Sequence, residues 1–205
     1  VMRITVRGAD QVDVPPDLGR LYGQVSLQGA DKQAVMDAVT ESAGVVSRAL
    51  DERRAVGQVS QVVIRPISVY GYQTYVAERT EMVHQASVAW SADFANAEAL
   101  AVFCAEQGAG AGVQIQQAEW LLSDQTRIRV EQDCLTRAVA MARARAQAIA
   151  AAAGAGEVRF VEVSDPDLGD GPGGAMAAMA RAESTVDVRP ADVTVRVELR
   201  AVFEA

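Results

Sequence analysis

Residues 22–50, YGQVSLQGADKQAVMDAVTESAGVVSRAL, change period in mid-stretch, and that change decides the fold. Tyr22 to Leu27 alternates with Val25 and Leu27 on one side, the two-residue repeat of a half-buried strand. Beyond Gly29 the small and apolar positions become Val35, Ala38, Val39, Ser42, Val46, Ala49 and Leu50, which is helical spacing. Asp31 stands where its carboxylate can accept from the first free amides of that helix, and Gly57 marks its latest end. A strand therefore feeds directly into a helix.

Working outward, the switch repeats. Val59–Ile67 reads as a strand and Met82–Trp90 as another, with Met82, His84, Ala86, Val88 and Trp90 on one face. Asp93 is expected to open a second helix whose apolar side carries Ala99, Leu100, Phe103 and Cys104. GAGAG at 108–112 ends it, because glycine permits a left-handed exit. Val113–Leu122 reads as a strand, and Ser123–Asp124 as the cap of a long helix from about Gln125 to Ala153. Ile128, Leu135, Val139, Ala142, Ala146, Ile149 and Ala153 mark the expected seam of that helix, and Gly154 its end.

The order between Tyr22 and Leu122 is thus β-α-β-β-α-β, which fits a ferredoxin-like split βαβ arrangement with helices on one face of an antiparallel sheet. Ahead of it, Arg3–Arg7 alternates about Ile4 and Val6, the GAD at 8–10 reads as a turn, and Val12–Val14 runs to Pro15 and Pro16. After the long helix come strands over Val158–Val163 and Asp192–Glu204. The last alternates fully, with Val193, Val195, Val197, Leu199, Ala201 and Phe203 on one face and Thr194, Arg196, Glu198 and Arg200 on the other. The expected class is α+β: a ferredoxin-like βαββαβ core plus an appended long helix and two C-terminal strands. It is expected to form one domain over residues 1–205, divisible into halves 1–122 and 123–205.

Composition narrows the function. Half of the 205 residues are hydrophobic but only 5% are aromatic, so Val, Ala, Leu and Ile are expected to build the core through close, small-residue contacts. A chain of this length buries roughly 70% of its unfolded surface and needs no staples. With 27 acidic and 19 basic side chains the net charge is −8, which repels a nucleic-acid backbone unless arginines gather. Arg127, Arg129, Arg137, Arg143 and Arg145 do gather along the long helix. They share no single face, however, and lack aromatic platforms, so they read as a solvated surface. No run reaches the about 18 apolar residues of a membrane helix. The N-terminal stretch is not a signal peptide, so the chain as it stands reads as cytoplasmic, or as an envelope or periplasmic protein if a leader has been removed.

No cofactor, metal or catalytic site is legible. Cys104 and Cys134 form no CxxC, and His84 is the single histidine, so a zinc site of the usual kind is not expected. The two cysteines allow one disulfide, which nothing in the sequence brings together. His84 has no elbow-type nucleophile beside it and reads as a packed strand residue. Cys104 reads as a small core residue, and Cys134 lies within the long helix, away from the N-terminal cap that would depress a thiol's pKa. Residues 167–184, DLGDGPGGAMAAMARAES, lack the Gly-Lys-Ser/Thr of a phosphate loop and come too late for a dinucleotide fingerprint. Pro172, Met176, Met179 and Arg181 are instead the candidate subunit contacts, held by a neighbouring copy, because methionine suits adaptable apolar surfaces.

Four stretches together resemble one family. They are ITVRGADQVDVPPDLGRLYGQVSLQGAD near the start, VVIRPISVYGYQTYVAERTEMVHQASVAWSADF, AEWLLSDQTRIRVEQDCLTRAVAMARARAQAIAAAAGAG, and the tail VRPADVTVRVELRAVFE. The chain resembles the SIMPL-domain proteins over nearly its whole length. That resemblance implies no enzymatic activity and no catalytic residues. It implies ring-like homo-oligomers, as some members form, and a link to the bacterial envelope and oxidative-stress tolerance. The expectation is a non-enzymatic homo-oligomer without cofactor, nucleic acid or membrane span. The alternative is a monomeric binding module for a small ligand or partner protein on the open sheet face.

Overall fold

The computed structural model describes residues 2–76, 79–165 and 190–205. Its elements are β1 (Arg3–Val14), β2 (Leu18–Gly29), α1 (Lys32–Ala55), β3 (Val59–Ile64), β4 (Ser68–Val76), β5 (Arg79–Phe94), α2 (Ala97–Gln107), β6 (Val113–Leu121), α3 (Asp124–Ala152), β7 (Arg159–Ser164) and β8 (Val193–Glu204). The α+β class holds, with every strand pair antiparallel. The chain divides into two compact units.

One unit runs from β2 to β6. Its sheet has the order β3-β5-β2-β6, and α1 and α2 cover one face. Asp31 caps α1 by accepting from the Ala34 amide at 3.0 Å, as the sequence suggests. Alternation along β2 sends Leu21 and Val25 beneath the helices, where they meet Trp90, Phe94 and Phe103. Trp90 and Phe94 both lie against Phe103, at 5.7 and 5.2 Å between ring centres. A core of small contacts alone is therefore not what forms here. The few aromatic residues are concentrated in this unit, and each buried ring removes a large apolar area from water.

β4 is an additional strand. The sequence reading passed over SVYGYQTYV because its faces show no contrast between apolar and polar positions. β3 and β4 lie end to end along one edge of β5: β3 pairs with its second half and β4 with its first. Pro66 stands at the break between them, and it has no N–H with which to continue the ladder. β5 also runs further than expected, to Phe94, and Asn96 rather than Asp93 caps α2 by accepting from the Ala99 amide at 2.8 Å. Gly108 ends α2 in right-handed geometry, and Gly112, at φ 72°, takes the left-handed position.

The other unit combines β1 with α3, β7 and β8. Its sheet order is β1-β8-β7, and α3 lies over β1 and β8. β1 continues through Gly8-Ala9-Asp10 with unbroken register against β8, so the expected turn at these residues is absent. Gly8 is there for space. A Cβ on it would stand 2.1 Å from the Ala138 carbonyl oxygen and 3.0 Å from the Ala142 Cβ. That approach explains the helix. Its buried stripe is Val130, Cys134, Ala138, Ala142, Ala146 and Ala150, a strict four-residue repeat of mostly methyl groups. The expected seam is thus displaced: Ile128, Leu135 and Ile149 are exposed, because larger side chains would hold the helix off the sheet. Ser123 caps α3 and Gly154 (φ 72°) ends it as expected. No described helix is long and apolar enough to cross a membrane.

Candidate functional site

The residues singled out in sequence are dispersed. Pro172, Met176, Met179 and Arg181 lie outside the described residues, with the rest of 167–184. His84, on β5, is partly exposed and lies against Gly71 of β4, where an added Cβ would sit 3.0 Å from the His84 Nδ1. It makes no hydrogen bond or ion pair among the described residues. Cys104 on α2 is half-buried, and burial pushes its thiol up from the ordinary value. Cys134 is fully buried on α3 in the other unit; both thiols are free. The Cys134 sulfur accepts from Arg137 Nη2 at 3.4 Å, while Arg137 Nε donates to Asp10 at 2.7 Å. Burial and the neighbouring Asp10 carboxylate push the Cys134 thiol up, against the opposing pull of Arg137. It therefore stays protonated near neutral pH. Among the described residues no cluster of His, Cys, Asp and Glu is suited to a metal ion.

Three of the five arginines of the α3 row are paired with acids. Arg127 meets Asp124 at 3.1 Å, Arg137 meets Asp10, and Arg143 lies 3.8 Å from Glu157. These are solvated surface pairs, as the sequence reading holds.

Two surfaces carry organisation that the sequence did not reveal. The first is the open face of the sheet β3-β5-β2-β6. Arg20 donates from Nε and Nη2 to the two oxygens of Asp93, at 2.6 and 2.8 Å. Asp93 is 5% exposed, a buried charge that needs such a partner, and its carboxylate raises the Arg20 pKa further above its ordinary value. Further along this face other side chains bond one another. Tyr70 Oη donates to Gln85 Oε1 at 2.8 Å, and Gln85 Nε2 donates to Ser26 Oγ at 3.0 Å. Tyr72 Oη donates to Gln28 Oε1 at 3.0 Å, and Tyr22 Oη to Glu119 Oε2 at 3.2 Å. Asp93 could have been placed from its parity with Ser87 and Ser91, opposite to that of Trp90, Ala92 and Phe94.

The second is the outer strand of the sheet β1-β8-β7. Every residue of β7 is exposed, including Phe160, Val161 and Val163. Pairing of Phe160 with Phe203 puts its ring on the α3 side, edge-on to Phe203 at 5.2 Å. There a groove of about 620 Å³ opens, lined by Val139, Arg143, Glu157, Val158, Arg159 and Phe160. Among the described residues the outer edge of β7 pairs with no strand, so its backbone N–H and C=O groups are available to another chain.

The sequence model of the family described as SIMPL, protein of unknown function (DUF541), matches residues 4–203. No curated protein matches the chain.

Proposed function

The chain belongs to the SIMPL family, and on that premise we propose that it is a non-enzymatic protein that self-assembles into a ring- or channel-like homo-oligomer serving stress tolerance or the cell envelope. The observation that carries this reading is β7, an edge strand without a pairing partner among the described residues, which leaves Phe160 47% and Val163 50% exposed beside an apolar groove. A second copy can continue the ladder and cover the groove. The sheet ends in two different edges, β1 and β7. Docking one against the other between copies is heterologous, and a heterologous contact whose rotation closes makes a ring. The raised thiols of Cys104 and Cys134, protonated near neutral pH, support a role without thiol catalysis.

Mass photometry of the full chain at nanomolar concentration, with light scattering at micromolar concentration, tests the proposal. A particle of several chains is expected, and Val161→Lys on the β7 edge should shift it toward monomer without changing the far-ultraviolet spectrum. A monomer throughout overturns it. The second reading is a monomeric binding module on the open face of β3-β5-β2-β6, favoured by Tyr70 and Tyr72, which are 53% and 40% exposed. A ligand that raised Tm without changing mass would select that reading.

A further inference from the structure

The face of the three-stranded sheet turned away from α3 is ordered into rows by strand register. Arg3, Glu204 and Arg159 form one row; Thr5, Val202 and Glu162 the next; Arg7, Arg200 and Ser164 a third. Most charges in these rows have partners. Arg159 reaches Glu204 at 3.4 Å, Arg3 reaches Glu162 at 3.6 Å, and Arg7 reaches Glu198 at 3.4 Å, which Arg196 shares at 3.2 Å.

Arg200 is the exception. Its side chain makes no ion pair or hydrogen bond among the described residues, and its direct neighbour on β1 is another cation, Arg7. Like charges directly opposite on paired strands are destabilising. The Thr5 and Ser164 hydroxyls on either side of β8 also lack partners among the described residues. Arg3, Thr5, Glu162, Ser164, Arg200 and Val202 together line a pocket of about 370 Å³. So a chain of net charge −8 concentrates here a free guanidinium, a second guanidinium and two free hydroxyls.

We propose that this pocket binds a protonated oxyanion of the hydrogen-phosphate class. Charge complementarity selects an anion, since Arg3 and Arg200 outnumber the single acid Glu162 among the lining residues. The donors belong to three adjacent strands and line one pocket on a single sheet face. A tetrahedral group with several acceptor oxygens matches that arrangement better than a planar carboxylate, which one guanidinium fork would saturate. Glu162 decides the protonation. Its carboxylate repels a fully ionised anion but accepts the remaining O–H of hydrogen phosphate. Sulfate carries no such proton at neutral pH, and neither does a phosphodiester. This binding surface goes beyond the self-association reading and does not depend on it.

Isothermal titration of the full chain with inorganic phosphate, at constant ionic strength and neutral pH, should give saturable binding. Sulfate should bind roughly tenfold more weakly, the value of one charge-assisted hydrogen bond. Arg200→Gln should abolish phosphate binding, whereas Glu162→Gln should narrow the gap between phosphate and sulfate. Both positions are exposed, so circular dichroism serves as the control for folding. Vesicles of phosphatidylcholine containing phosphatidic acid distinguish the source: Arg200-dependent sedimentation with them, but not with pure phosphatidylcholine, assigns a lipid phosphomonoester. Saturable binding of phosphate alone assigns a soluble ion. Equal affinity for phosphate and sulfate, or binding by neither ion nor vesicle, or binding unchanged in Arg200→Gln, overturns the proposal.

Discussion

The two units solve one problem, seating helices on an antiparallel sheet, with opposite materials. In the β2–β6 unit α1 and α2 rest on Leu21, Val25, Trp90 and Phe94 of the sheet, and α2 adds Phe103, large side chains that fill a deep layer. In the other unit α3 meets the sheet through its own stripe of alanines, and its backbone comes close enough to β1 that only glycine fits at position 8. Large rings give burial and leave slack in side-chain rotation. Methyl groups give little burial per residue but fix the distance between helix and sheet, because the contact is with main chain and nothing can rotate away.

The sharpest way to break this comparison is to add one methyl group to each unit. Gly8→Ala drives a Cβ onto the Ala138 carbonyl oxygen, and Gly23→Ala drives one to 2.2 Å from the Trp90 ring. Both overpack, and about 3 kcal/mol is expected for Gly8→Ala against about 2 for Gly23→Ala. The difference in kind matters more than the difference in size. Trp90→Phe should rescue Gly23→Ala by shortening the obstructing ring, and it also removes the buried indole N–H, which has no hydrogen-bond partner. No substitution of Ala138 should rescue Gly8→Ala, because the obstruction is backbone. The two units can be followed separately in urea. All four tyrosines and both tryptophans lie between Tyr22 and Trp120, so their fluorescence reports on the β2–β6 unit. Far-ultraviolet circular dichroism reports on both units. For Gly8→Ala the dichroism should begin to fall before the fluorescence shifts. Coincident curves, or rescue through Ala138, would contradict this account of α3.

That contrast also explains what the sequence disclosed. Periodicity served wherever large residues mark the inside: β8, with Leu199 and Phe203, and α1, with Val39, Val46 and Leu50, are placed by it. The same assumption misplaced the α3 seam, since Ile128, Leu135 and Ile149 are larger than the alanines that the sheet buries. Gly8 reads as a turn in sequence because glycine is ambiguous between freedom of φ and lack of bulk, and only the helix above it decides. β4 gives no signal because both parities mix residue types, Tyr70, Tyr72 and Thr74 on one and Val69, Gln73 and Tyr75 on the other. Of the surfaces, the rows around Arg200 require the register of β1, β7 and β8, whose residues stand far apart in sequence. Alternation in β8 alone put Arg200 on the polar face but could not show that Arg7 lies opposite. The contacts expected at Pro172, Met176, Met179 and Arg181 fall outside the described residues.

A second comparison sets one ion pair in each unit against the other. Arg20–Asp93 shields its acid, whose side chain is 8% exposed, while Arg137–Asp10 leaves the guanidinium half in water. Replacing Asp93 by Ala removes both oxygens from the Arg20 fork and leaves a partly buried cation unpaired. Loss of one partner from a fully buried pair costs about 3–5 kcal/mol, and partial solvation of Arg20 reduces the expected loss here to about 2. A loss below about 0.5 kcal/mol in urea unfolding would mean that Asp93 is held by the sheet and not by Arg20.

Asp10 gives the smallest effect and the one with a sign that pH can test. The hydrogen bond from Arg137 holds its carboxyl below the ordinary carboxylate value, against a smaller opposing contribution from desolvation. A depressed value in the folded state means that the unfolded chain takes up the proton first as pH falls. The stabilisation is therefore complete above the unfolded-state value, near pH 4, and disappears as pH falls through the lower folded-state value. Asp10→Asn should lower Tm slightly between about pH 6 and 8, and the difference from the unaltered chain should shrink below about pH 4. A difference that stayed constant down to the acid limit would assign the role of Asp10 to shape or to its contact with Cys134, not to its charge. High salt separates these further, since an exposed pair is screened and a packing contact is not.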